Sequence, residues 1–128
     1  MNYLPAGKNP QWYCAADDGK IIGTIAFFQE SDGFHAGRFA IEPSYRGRHI
    51  GSDLVVYAFR DMFRTGTNEI IMEGRPTTVH ILTGFGAEIT GDAFPFYDST
   101  CTPMIIRKLA FLKTFEGNAS DEQQYNCQ

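Results

Sequence analysis

The chain has 128 residues with a formal charge of −4, and hydrophobic residues make up 43% against 20% charged. That balance suits one globular domain and excludes wholesale disorder. Eleven Lys and Arg against 15 Asp and Glu leave no basic excess, which argues against a general nucleic-acid partner.

Residues 12–16 alternate as a short strand, and Asp17-Asp18-Gly19-Lys20 reads as a hairpin turn with Gly19 at positive φ. Residues 21–29 form an apolar strand, Ser31-Asp32-Gly33 the next turn, and residues 34–41 a third strand. The three make an antiparallel meander. Pro43 then breaks the pattern and opens a loop through Arg48. Ile50, Leu54, Val55, Ala58, Phe59, Met62 and Phe63 recur at three- and four-residue steps, an amphipathic helix to about Arg64 that Gly66 stops.

Residues 68–73 carry Ile70-Ile71-Met72, a short buried strand, and a second helix runs from about Thr77 to Phe85. Two weaker strands follow at 87–90 and 104–109, separated by an aromatic loop, Phe94-Pro95-Phe96-Tyr97, that would line a cleft or anchor an interface. Cys101 falls in the same loop region, and Cys14 reads as core. The order βββαβαββ predicts an α/β (α+β) layer, a mixed sheet with two packed helices, over residues 1–115. Residues 116–128 are a polar tail too poor in apolar groups to fold alone. A protein partner or a second copy of the chain is expected to hold the two ends.

No apolar run approaches the roughly 20 residues of a membrane helix, and residues 1–10 lack the core of a secretory signal. Three cysteines without metal-like spacing predict neither a disulfide framework nor a metal site, so a reducing, cytoplasmic setting is expected.

The informative stretch is residues 39–54, FAIEPSYRGRHIGSDL. It sets a strand, a proline loop, then Arg46, Gly47, Arg48, His49, Ile50, Gly51 and Ser52 at a helix start. Amides of a first helical turn have no intrahelical acceptor, and the helix dipole adds partial positive charge. Two arginines supply cations, and small residues at 47 and 51 would let a phosphate reach the backbone.

This segment resembles the acetyl-CoA signature of the GNAT superfamily of N-acetyltransferases, Gln/Arg-x-x-Gly-x-Gly/Ala, with Arg46 at the first position and Gly51 at the last. His49 stands where the family usually has glycine. The run from Thr78 to Glu88, TVHILTGFGAE, resembles the family helix that ends at a glycine opening the next strand. That run is also similar to small phage-encoded GNAT-like proteins, some of which serve in the virion.

The resemblance implies that acetyl-CoA lies in a wedge between the third strand and residues 68–73. There a backbone N–H near Ile41 polarises the thioester and an amine acceptor attacks. The family tyrosine that protonates the leaving thiolate falls on Leu82, leaving Tyr45 or Tyr97 as substitutes or as packing residues. The usual first strand and two helices have no room before Trp12. His35 and Glu73 are the candidate bases, each with a bland reading beside it: a solvent-facing strand histidine and a solvated strand end. A second function stays open, a non-catalytic structural or adaptor protein in a phage particle that keeps the fold.

Overall fold

A computed structural model describes residues 10–116. The tail beyond them, the segment before Pro10, Cys127 and the expected partner at the ends lie outside the described residues. Three strands open the chain, β1 (Gln11–Asp17), β2 (Lys20–Glu30) and β3 (Gly33–Ile41). A 3₁₀ turn at Pro43–Tyr45 leads to helix α1 (Ile50–Arg64), strand β4 (Glu69–Gly74) and helix α2 (Pro76–Thr83). Strands β5 (Glu88–Ile89), β6 (Phe94–Phe96) and β7 (Ser99–Arg107) and helix α3 (Lys108–Glu116) complete it.

The sheet order is β1-β2-β3-β4-β7-β5, with β6 on β7. All pairings are antiparallel except β3 with β4. A parallel neighbour needs a crossover, and α1 supplies it across one face. The core joins Ile25 and Phe27 of β2, Ile70 and Met72 of β4, and Met104 and Ile106 of β7 to Leu54, Val55, Phe59 and Phe63 of α1, Leu82 of α2 and Phe111 of α3. All three helices therefore cover the same face of the sheet.

The last third corrects the sequence reading. The aromatic segment is a strand, β6, in a hairpin with β7: Phe94 pairs with Cys101 and Phe96 with Ser99. Cys101 is consequently buried in a strand. The final strand starts at Ser99 and ends at Arg107, so Leu109 belongs to a third helix, α3, that the pattern did not suggest. Pro103 obscured β7, because proline is expected only where no ladder donor is needed. Its carbonyl accepts from the Thr90 amide at 2.9 Å, so its nitrogen faces the gap between β5 and β6, where no donor is required. Helix α3 brings Phe111 onto Phe59, Phe63 and Phe85, with ring centroids 5.5 to 6.0 Å apart.

Candidate active site

Strands β3 and β4 pair only through Phe34–Ile70, His35–Ile71 and Ala36–Met72. Beyond Ala36, β3 stays with β2 while β4 stays with β7, so the two parallel strands part toward their C-terminal ends. A bulge in β3 drives the split. The β2–β3 register shifts between Thr24 and Ala26, and Arg38 takes φ 54°. The extra residue rephases the strand, so that Phe39 and Ile41 pack toward the helices alongside Phe34 and Ala36.

The same bulge sets the direction of the Ile41 amide. The Glu42 amide donates to the Ile22 carbonyl at 2.7 Å, and Ile41 lies opposite Gly23. Residues of an antiparallel ladder alternate between facing the partner and facing away. Ile41 therefore turns its N–H and C=O to the split between β3 and β4. Arg46 Nε reaches that carbonyl at a long 3.4 Å, which leaves the N–H directed into the wedge.

The loop to α1 places the remaining residues. Gly47 takes φ 82° with open space around its α-carbon, and His49 adopts the left-handed conformation, φ 63°, just before the helix. The His49 side chain is exposed and makes no cap. The first backbone bond of α1 is Asp53 N–H to the His49 carbonyl, 3.0 Å, and among the described residues no side chain caps the amides of Ile50, Gly51 and Ser52. Arg48 lies over the Tyr45 ring at 5.0 Å, and the Tyr45 hydroxyl donates to Asp17 at 2.7 Å. That bond to a carboxylate raises the Tyr45 pKa above its ordinary value and keeps the phenol protonated. Tyr45 thus braces Arg48 and is not free as an acid.

The missing side chain of Gly51 does not leave open space: a Cβ there would meet the Phe39 ring at 3.2 Å, Ile41 at 3.6 Å and Ile81 at 3.7 Å. Gly51 lets the first turn of α1 close on the end of β3, while a side chain at Gly47 would begin in open space.

The two candidate bases share the face of the sheet opposite the helices. His35 pairs with Ile71, and Glu73 lies two residues further along β4 on the same side, just past the last β3–β4 pair. His35 Nε2 meets Asp32 Oδ1 at 2.6 Å and the ring stacks on Phe28. Since a carboxylate only accepts, Nε2 carries the proton and Nδ1 is the basic nitrogen. Glu73 is exposed. His35 sits at the apex of the split and not beside Arg46 to Ser52, six residues down the strand from Ile41. Leu82 is fully buried in the core, and Tyr97 is 88% exposed at the tip of the β6–β7 hairpin, its ring edge-on to Phe96. Among the described residues no group of three His, Cys, Asp or Glu side chains is placed to hold a metal ion, and no helix is long and apolar enough to cross a membrane.

The acetyltransferase (GNAT) domain family model matches residues 8–98. The chain belongs to the GNAT acetyltransferase family. Among similar solved structures is a GNAT-family acetyltransferase from Streptococcus pneumoniae, at 18% identity and TM-score 0.67, covering 77% of this chain and 67% of that one. An aminoglycoside 6'-N-acetyltransferase solved with coenzyme A matches at 18% identity and TM-score 0.62, covering 77% and 72%. The PaiA N-acetyltransferase of Thermoplasma acidophilum, also solved with coenzyme A, matches at 18% and 0.63, covering 77% and 60%. No functionally curated protein matches the sequence.

Proposed function

We propose that this GNAT chain is an acyl-CoA-dependent N-acetyltransferase that moves the acetyl group of acetyl-CoA directly to an amine. The observation that carries the reading is a set of amides with no partner among the described residues. Ile50, Gly51 and Ser52 present theirs at the start of α1, and Ile41 presents its own in the split between β3 and β4. The helix-start amides, with Arg46 and Arg48, neither of which has a carboxylate partner among the described residues, take the pyrophosphate. The loop of Gly47, Arg48 and His49 frames it, and the pantetheine arm runs down the wedge.

The thioester carbonyl then meets the Ile41 N–H, a fixed dipole aimed at the oxygen that gains charge in the transition state. An ammonium acceptor first loses a proton to Glu73 through water, whereas His35, six strand residues and so about 16–20 Å from Ile41, is out of reach of the attacking nitrogen. The neutral nitrogen attacks the carbonyl carbon, the C–N bond forms and the C–S bond breaks. The base passes its first proton to solvent and takes the amine's second as the C–S bond breaks, and the thiolate takes a proton from water, since Leu82 has none to give. The amide and free coenzyme A leave.

Calorimetry with acetyl-CoA and with coenzyme A, together with thiol release in the presence of amines, tests the proposal: binding of both and amine-dependent release of thiol are expected. The buried Leu82 favours a second reading, a non-catalytic structural or adaptor role, a virion component included. Neither ligand binding at millimolar concentration would leave that reading alone standing.

A further inference from the structure

With the three described helices on one face, the other face of β1 to β4 presents Trp12, Phe28, His35, Arg38, Ile71 and Glu73. The Arg38 guanidinium lies 5.7 Å from the Trp12 ring centroid and 5.7 Å from that of Phe28. Arg38 is the bulge residue, held at φ 54°, a left-handed conformation that disfavours a non-glycine residue. Its carbonyl accepts from Thr24 Oγ1 at 3.1 Å. Backbone strain kept at one position directs a search for what the side chain does there.

Among the described residues Arg38 has no carboxylate partner. Other cations of the sheet do: Arg107 meets Glu69 and Glu88, Arg75 meets Asp98, and Lys20 meets Glu42. A guanidinium bracketed by aromatic rings keeps its N–H edge free, and that edge fits a carboxylate with two parallel hydrogen bonds. Strands are spaced about 4.8 Å apart, so Arg38, over β1 and β2, lies one to two spacings from the split between β3 and β4, roughly 5–10 Å. An amine and a carboxylate on one carbon, with a hydrogen bond of about 2.9 Å at each end, span that gap.

We infer that the acceptor lies across this face, opposite the described helices, and is an amino-carboxylate, with its carboxylate on Arg38 and its nitrogen in the split between β3 and β4. The inference rests on the acetyl-transfer reading for the chemistry, but the carboxylate site can be tested without it. The probes are non-aromatic α-amino acids and dipeptides, each compared with its methyl ester. The ratio of kcat/KM for acid over ester, compared between the native chain and Arg38→Gln, cancels the different basicity of the two amines. A fall of roughly tenfold or more is expected for Arg38→Gln, with partial recovery in Arg38→Lys. An Arg38 that only packs on the rings would change both substrates alike, and an unchanged ratio overturns the inference.

The second readout needs no turnover. Trp12 is the chain's single tryptophan and lies under Arg38. Its emission should respond to the acids and not to the esters, and the response should vanish in Arg38→Gln. No response in the native chain overturns the inference even if acetyl-CoA is turned over with other amines. A response without coenzyme A binding sinks the acetyl-transfer reading and leaves the carboxylate site standing.

Discussion

Replacing Arg46 with alanine separates a phosphate ligand from an ordinary loop cation. Among the described residues Arg46 makes one long exposed bond, 3.4 Å to the Ile41 carbonyl, so its loss should change fold stability by less than about 0.5 kcal/mol. A charge-assisted bond to a phosphate is worth about 1.5–3 kcal/mol, which converts to a roughly 10- to 150-fold rise in Kd for coenzyme A. Titration calorimetry at low ionic strength reads it. The gap to the native chain should narrow in added salt, because the Debye length falls from ~30 Å at 0.01 M to ~8 Å at 0.15 M. Arg64→Ala is the control: it removes the same charge from the other end of α1, on the order of 20 Å away along the helix axis. An Arg46→Ala chain within about twofold of native affinity, or an equal loss in Arg64→Ala, refutes the assignment.

Three further outcomes are expected. His49→Gly relieves the left-handed backbone at φ 63° and should raise Tm by roughly 2–5 °C without weakening coenzyme A binding, whereas a fall in Tm would show that the imidazole holds the loop. Phe111→Ala empties the ring cluster with Phe59, Phe63 and Phe85 and should cost about 3–5 kcal/mol in denaturant unfolding; a cost below ~1 kcal/mol would mean that α3 is peripheral. Asp32 titrates below its ordinary 3.8 because His35 donates to it. A folded value below the unfolded one adds stability that is present above pH 3.8 and drains away as pH falls through the lower folded value. In His35→Ala the Asp32 midpoint, followed by carboxyl NMR, should move back up, and an unmoved midpoint contradicts the bond.

The meander, α1 and β4 were legible in the sequence because each keeps one period and ends at a turn residue: Asp17 to Lys20, Ser31 to Gly33, Gly66. The bulge was not, although it leaves a trace. Phe34, Ala36, Phe39 and Ile41 are spaced two, three and two apart, which breaks strand alternation at Arg38. Read as a uniform strand, residues 34–41 give no direction for the Ile41 amide, which depends on the rephasing. Helix α3 was hidden because its burial rests largely on Phe111, a tertiary contact with α1, and because the apolar run Ile105-Ile106 flows into it. The cradle was visible as Arg46 to Ser52, but the division of labour between its glycines was not. Only packing tells that Gly47 faces open space while Gly51 faces Phe39, Ile41 and Ile81. The face shared by His35 and Glu73 likewise required the β3–β4 register.

The most direct test is an amide NMR titration of the native chain with acetyl-CoA and then with coenzyme A. Both ligands should shift the cross-peaks of Gly47, Ile50, Gly51 and Ser52, and Ile41 should move further with the acetylated form, since its N–H meets the thioester oxygen. Shifts confined to other elements, or none at millimolar ligand, would contradict the account.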